Sequence, residues 1–149
     1  MNDELAEASI MNDLLDHVHT LVGSHAVVTK NSHGFSVRPF APGALSFEVI
    51  ADLWLILAAG QIGGRWELRY TVTEEVLLAH RIISAITDGR VEETFALARS
   101  RVTVQLEDGT TVSETGSVGC LGLLIPQPGW TRWGKSRKYA PYAQNTSSS

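Results

Sequence analysis

The stretch from Arg65 to Val118 constrains the fold most, because it strings together a strand, a helix, a short link and a hairpin. Trp66, Leu68, Tyr70 and Val72 alternate with Glu67, Arg69, Thr71 and Thr73. A period of two sends these sets to opposite faces of a strand. A helix follows at once. Thr73 before Glu74 and Glu75 is a start signal: a hydroxyl accepts an orphan backbone N–H and the acids suit the positive helix end. Thr71 with Glu74 is a rival capping box, which leaves the boundary open by two residues. Val76, Ala79, Ile83 and Ile86 recur at helical spacing, Leu78 and Ile82 widen the stripe, and Asp88-Gly89 supplies the stop. After a link over Arg90 to Ser100, read as a short helical turn, Val102, Val104 and Leu106 line one face of a strand. Asp108-Gly109 makes a tight turn, and Thr110 to Val118 returns.

Strand, helix and antiparallel hairpin in that order predict an α+β domain. The expectation is a mainly antiparallel sheet of about six strands with two main helices packed on it. One domain over residues 1–143 and a disordered tail over 144–149 complete the prediction.

Upstream, Met11, Leu14, Leu15, Val18, Leu21 and Val22 form the stripe of a first helix that reaches Gly23, with Asn2, Ser9 and Asn12 as rival caps. Ala26–Lys30 and Phe35–Arg38 read as short strands joined by the turn Asn31-Ser32-His33-Gly34. Ala44–Ile50 is a third strand. Asp52–Ala59, with its apolar Leu53-Trp54-Leu55-Ile56-Leu57, fits a central buried strand or a short buried helix; the turn through Gly60, Gly63 and Gly64 favours the strand.

Composition narrows the functional classes. Apolar residues make up 44% and charged residues 19%, values at which a chain buries a core. The net charge of −4 argues against general affinity for nucleic acid or anionic membrane. A single cysteine, Cys120, excludes an internal disulfide framework and a cysteine-based zinc site, and its glycine-flanked apolar setting fits a buried, inert thiol. The opening Asn2-Asp3-Glu4 lacks the basic-then-apolar pattern of a secretory signal, and Leu53–Ala59 is too short to span a bilayer. A cytosolic protein with no membrane partner is expected.

The side chains that usually carry chemistry do not assemble. His17, His19, His25, His33 and His80 lack metal-ligand spacing and read as unrelated. Gly60-Gln61-Ile62-Gly63-Gly64 lacks the Lys-Ser/Thr of a phosphate loop and reads as a hairpin turn. The pairs Glu74/Glu75, Glu92/Glu93 and Glu107/Asp108 fall at expected helix starts and turns. No catalytic residue, metal or cofactor is assigned.

Charge is unevenly placed instead. Residues 1–29 hold Asp3, Glu4, Glu7, Asp13 and Asp16 with no Lys or Arg, whereas no acid follows Trp130. There Trp130, Arg132, Trp133, Lys135, Arg137, Lys138 and Tyr139 interleave aromatic and basic groups, the one candidate binding segment. It suits an acidic protein surface or single-stranded nucleic acid. The structural alternative is a last strand whose aromatics cover the sheet while its cations reach water.

Gly64-Arg65-Trp66-Glu67-Leu68, the helix end Asp88-Gly89-Arg90-Val91-Glu92-Glu93, and Arg99 to Val104 with Glu107-Asp108-Gly109-Thr110-Thr111 resemble small actinobacterial proteins of the immunity type found beside polymorphic toxins. The similarity covers roughly residues 60–149. It implies a binding protein that masks a toxin surface, with no catalytic residue to carry over. The expected function is therefore non-enzymatic binding of a protein partner. Three alternatives stay open: a ligand-binding or catalytic pocket in a curved sheet, lined by Trp54, Trp66, His80 or Cys120; a nucleic-acid adaptor acting through Trp130 to Tyr142; and homo-oligomerisation.

Overall fold

The computed structural model describes residues 2–119 and 126–143. Cys120, the apolar run 121–125 and the tail 144–149 lie outside the described residues. Helix α1 (Asn2–Val22) precedes a five-strand meander: β1 (Ala26–Asn31), β2 (Gly34–Pro39), β3 (Phe47–Ala51), β4 (Leu55–Ala59) and β5 (Arg65–Leu68). Helix α2 (Thr73–Thr87) leads to β6 (Val91–Ala96), β7 (Arg99–Gln105) and β8 (Thr111–Ser117). A single helical turn, α3 (Trp130–Trp133), and β9 (Lys135–Lys138) close the described chain.

The α+β class is as expected, but the strands divide into two antiparallel sheets instead of one of about six. The first has five strands in the order β1-β2-β3-β4-β5; the second has four in the order β8-β7-β6-β9. Alternation explains which faces turn inward. Phe35 and Val37, Phe47 and Val49, Leu55 and Leu57, Trp66 and Leu68, and Val102 and Val104 are all buried. On α1, Leu14, Val18 and Val22 recur every four residues and meet the buried Ala79, Ile82, Ile83 and Ile86 of α2 within one contiguous core that both sheets share.

The helix start at Thr73 has a different chemistry from either predicted cap. Val72 occupies the cap position and makes no side-chain cap bond. Glu75 instead folds back on the preceding chain. Its Oε2 accepts the Arg69 backbone N–H at 2.5 Å and its Oε1 accepts the Arg69 guanidinium at 2.6 Å. That hydrogen-bonded arginine holds the Glu75 carboxyl below its ordinary value. With the Arg69 N–H taken this way, β5 stops at Leu68, short of the predicted Val72.

The link after α2 is a strand, not a helical turn. Val91–Ala96 pairs with β7 from Val91↔Val104 to Ala96↔Arg99. Glu93 thereby occupies an inward position beside Val91, a place that alternation would reserve for an apolar side chain. Glu92/Glu93 is thus a mid-strand pair, not a pair at a helix start or turn.

The two sheets join where the β4–β5 turn lies against β7 and β8. Gly63 donates its N–H to Ser100 Oγ at 2.6 Å, and Gly64 donates to the Glu114 carbonyl at 3.3 Å. A Cβ on Gly63 would stand 2.4 Å from the Ser100 carbonyl oxygen, closer than real contacts allow. At the other end of the chain, residues after β9 tie distant parts together. Tyr139 N–H donates to Val91 O, Ala140 N–H to Gly43 O and Tyr142 N–H to Thr87 O, while the buried Tyr142 hydroxyl donates to Leu45 O.

Candidate binding surface

Buried anchors flank the predicted binding segment on both sides. Gly129, at φ 72°, turns the chain into α3, and Trp130 is buried there with the Arg99 and Arg101 guanidiniums 6.0 and 5.7 Å from its ring centre. Gly134 follows with its N–H on Trp130 O at 2.7 Å, and a Cβ there would meet Phe95 O at 2.4 Å. That close approach lays Lys135–Lys138 against β6 in the register Phe95↔Lys135 to Glu92↔Lys138.

Tyr139 comes next and is buried. Its hydroxyl donates to Glu93 Oε1 at 2.8 Å. Burial first, then the bond to Glu93, holds this hydroxyl protonated well above the ordinary tyrosine range. Arg137 lies over the outside of the same ring at 5.3 Å.

Between these anchors the remaining predicted residues face solvent. Arg132, Trp133, Lys135, Arg137 and Lys138 are exposed, and Trp133 keeps 59% of its surface in water with its indole N–H donated to Pro128 O. Among the described residues the ion pairs are made by Arg65, Arg69, Arg81 and Arg90, and none involves Arg132, Lys135, Arg137 or Lys138. The segment therefore splits. Trp130 and Tyr139 are anchors, and the cations with Trp133 form an unpaired basic edge. Reading by residue type could not make that division; the adjacency of Arg99 and Arg101 to Trp130 was likewise invisible without the register of β7.

Glu93 is the functional-looking group that sequence reasoning passed over. It is fully buried, and its carboxyl oxygens accept from Gln61 N–H, Ser100 Oγ–H at 2.8 Å and the Tyr139 hydroxyl. The glycine-rich turn, rejected above as a phosphate loop, thus does cradle an oxyanion with its backbone, but one that the chain itself supplies. Every donor is internal, which makes this a clasp between the two sheets.

The histidines are not all unrelated. His17 Nε2 lies 3.1 Å from Ser84 Oγ and its ring meets that of His80 edge to face at 4.7 Å, joining α1 to α2. Among the described residues no group of three or more His, Cys, Asp or Glu is placed to hold a metal. Nor do the residues suggested for a ligand pocket converge. Trp66 is in the core, Trp54 is on an exposed turn and His80 is between the helices, while Cys120 is outside the described residues.

Burial, and then the neighbouring His17 against an opposing effect of Asp13, holds His80 below its ordinary value. The fold therefore prefers the neutral ring, and the unfolded chain binds the proton better. Stability from this site is complete above about pH 6.5 and is lost as pH falls through that value toward the folded one. A lower melting temperature at pH 5 than at pH 7.5 is expected, with part of the difference removed in His80→Gln. An unchanged pH dependence in that variant would count against the assignment.

No protein-family model, curated protein or solved structure matches the chain. Among the described residues no helix is long and apolar enough to cross a membrane. By its own features the chain is an α+β domain of two antiparallel sheets that presents a basic edge.

Proposed function

We propose that the protein is a binding protein of the inhibitor or immunity kind, which covers an acidic surface of a protein partner with α3 and β9. The observation that carries this reading is the set of exposed cations Arg132, Lys135, Arg137 and Lys138, which make no ion pair among the described residues, around the exposed Trp133. An exposed indole beside arginine is the usual make-up of an interface hot spot. Lysine on a sheet edge also discourages pairing between copies, so the same charges that repel another basic edge attract an acidic surface. Nucleic acid is the weaker match. Stacking along a strand needs several aromatic faces in water, and Trp130, Tyr139 and Tyr142 are buried.

The test is capture from a lysate of the source cell by the full chain and by a variant with Arg132→Ser, Lys135→Ser and Lys138→Ser. These side chains are exposed, so the variant is expected to melt with the parent. One stoichiometric acidic protein, held less tightly as salt rises and lost from the variant, is the expected result. Equal capture by the variant, or nuclease-sensitive material in place of a protein, would overturn it.

A further inference from the structure

A second, oppositely charged surface lies away from the basic edge. Turns between strands ordinarily take Gly, Asn, Asp, Pro or Ser, each for a backbone reason. In the β3–β4 turn Asp52 fits that rule but is followed by Leu53 and Trp54, 87% and 45% exposed. Leu53 buries almost none of its side chain there, and Trp54 leaves nearly half of its own in water. The turn is held by its own backbone, with Asp52 N–H donating to Trp54 O at 3.1 Å and the Tyr70 hydroxyl donating to the same oxygen at 3.3 Å.

Beside the turn, the first two turns of α1 complete an open groove of about 600 Å³. Leu53, Ala6 and Tyr70 give it an apolar side, while Asp3, Glu7 and Asp52 supply carboxylates; among the described residues no Lys or Arg lines it. Arg69, next in sequence to Tyr70, is occupied by Glu75. Asp3 also complements the α1 dipole, and Asp52 is a residue type that turns favour. Burial pushes the Tyr70 hydroxyl up to about 12, and the charge of Glu7 adds to the rise.

We infer that this groove is a docking surface for a partner segment in which Lys or Arg side chains alternate with aliphatic ones. The aliphatic groups would cover Leu53 and the Tyr70 ring, and the cations would meet Asp3, Glu7 and Asp52. Charge complementarity selects this occupant over an acidic or purely apolar one. The groove is distinct from the basic edge. Asp52–Trp54 precedes β4 and the glycine turn at the sheet junction follows it, roughly 17 Å away at the rise of a strand.

The test titrates the ¹⁵N-labelled full chain with a synthetic peptide of alternating Lys and Leu, and with a Lys-Gly peptide of equal charge. Amide shifts confined to residues 3–7, 52–54 and 69–71 are expected, with the Lys-Leu peptide preferred. Leu53→Ser, at a site too exposed to affect folding, should weaken binding about tenfold, and Glu7→Gln with Asp52→Asn should weaken it again. Absent shifts, equal affinity for both peptides, indifference to Leu53→Ser, or shifts spread over Asp13 and Asp16 would each overturn the inference. So would sedimentation showing that a second copy already covers the groove.

Discussion

Replacing Glu93 by Ala is expected to lower the unfolding free energy by about 3 kcal/mol or more, one of the two largest single-site losses anticipated for this chain. The side chain is fully buried, and its removal takes the acceptor from the part-buried Gln61 N–H and strands the buried Ser100 and Tyr139 hydroxyls. Glu93→Gln is the informative partner. It keeps the shape and one acceptor oxygen, but turns N–H donors toward groups that are themselves donors, so its loss should be smaller yet clear. Urea unfolding followed by circular dichroism, with the slope compared across variants, measures both. A Glu93→Ala midpoint close to the parent's would mean that the carboxylate does not clasp the sheets.

Gly63→Ala should cost a comparable amount, about 3 kcal/mol, for a different reason. The new Cβ would stand 2.4 Å from the Ser100 carbonyl oxygen and 2.9 Å from that of Glu114, both backbone atoms that no rotamer change can move. To admit the methyl, the β4–β5 turn must lift from β7 and β8, and lifting it breaks the Gly63–Ser100 and Gly64–Glu114 bonds as well. Gly109→Ala is the control. Nothing lies near its Cβ, so only the strain of its φ of 85° remains and the loss should be near 1 kcal/mol. If both alanines cost the same, the tight contact at Gly63 carries no special weight.

Both predictions concern one junction, and that junction bears on the proposed function. Tyr139, the residue after β9, ends its hydroxyl on Glu93. The basic edge is thus fixed to the same carboxyl that holds the glycine turn, so its cations sit on a supported strand and not on a free tail. An edge held in place loses less conformational entropy on binding than a flexible segment would.

How much of this was legible beforehand follows from the range of the interactions. Helix α1 to Gly23, the hairpin through Asp108-Gly109 and the α2 stop at Asp88-Gly89 depend on neighbours a few residues away. Periodicity and turn chemistry therefore reveal them. The misreadings share a cause too. Glu93 breaks the apolar alternation that would mark β6 as a strand, and only partners from three other segments make a buried carboxyl acceptable there. The rival caps of α2 were plausible by residue type, yet Glu75 reached back to Arg69 instead.

The candidate surface divides along the same line. Sequence alone determined that aromatic and basic groups gather after Gly129, that acids gather before Lys30, and that the chain is α+β. Tertiary structure decided that Trp130 and Tyr139 are anchors while Trp133 and the cations face water. It also decided that the strands of the described residues form two sheets, and that an apolar turn borders an acidic groove. Those outcomes depend on pairings such as β9 with β6, across some forty residues, whose energy is set by what each side chain meets and not by its neighbours in the chain.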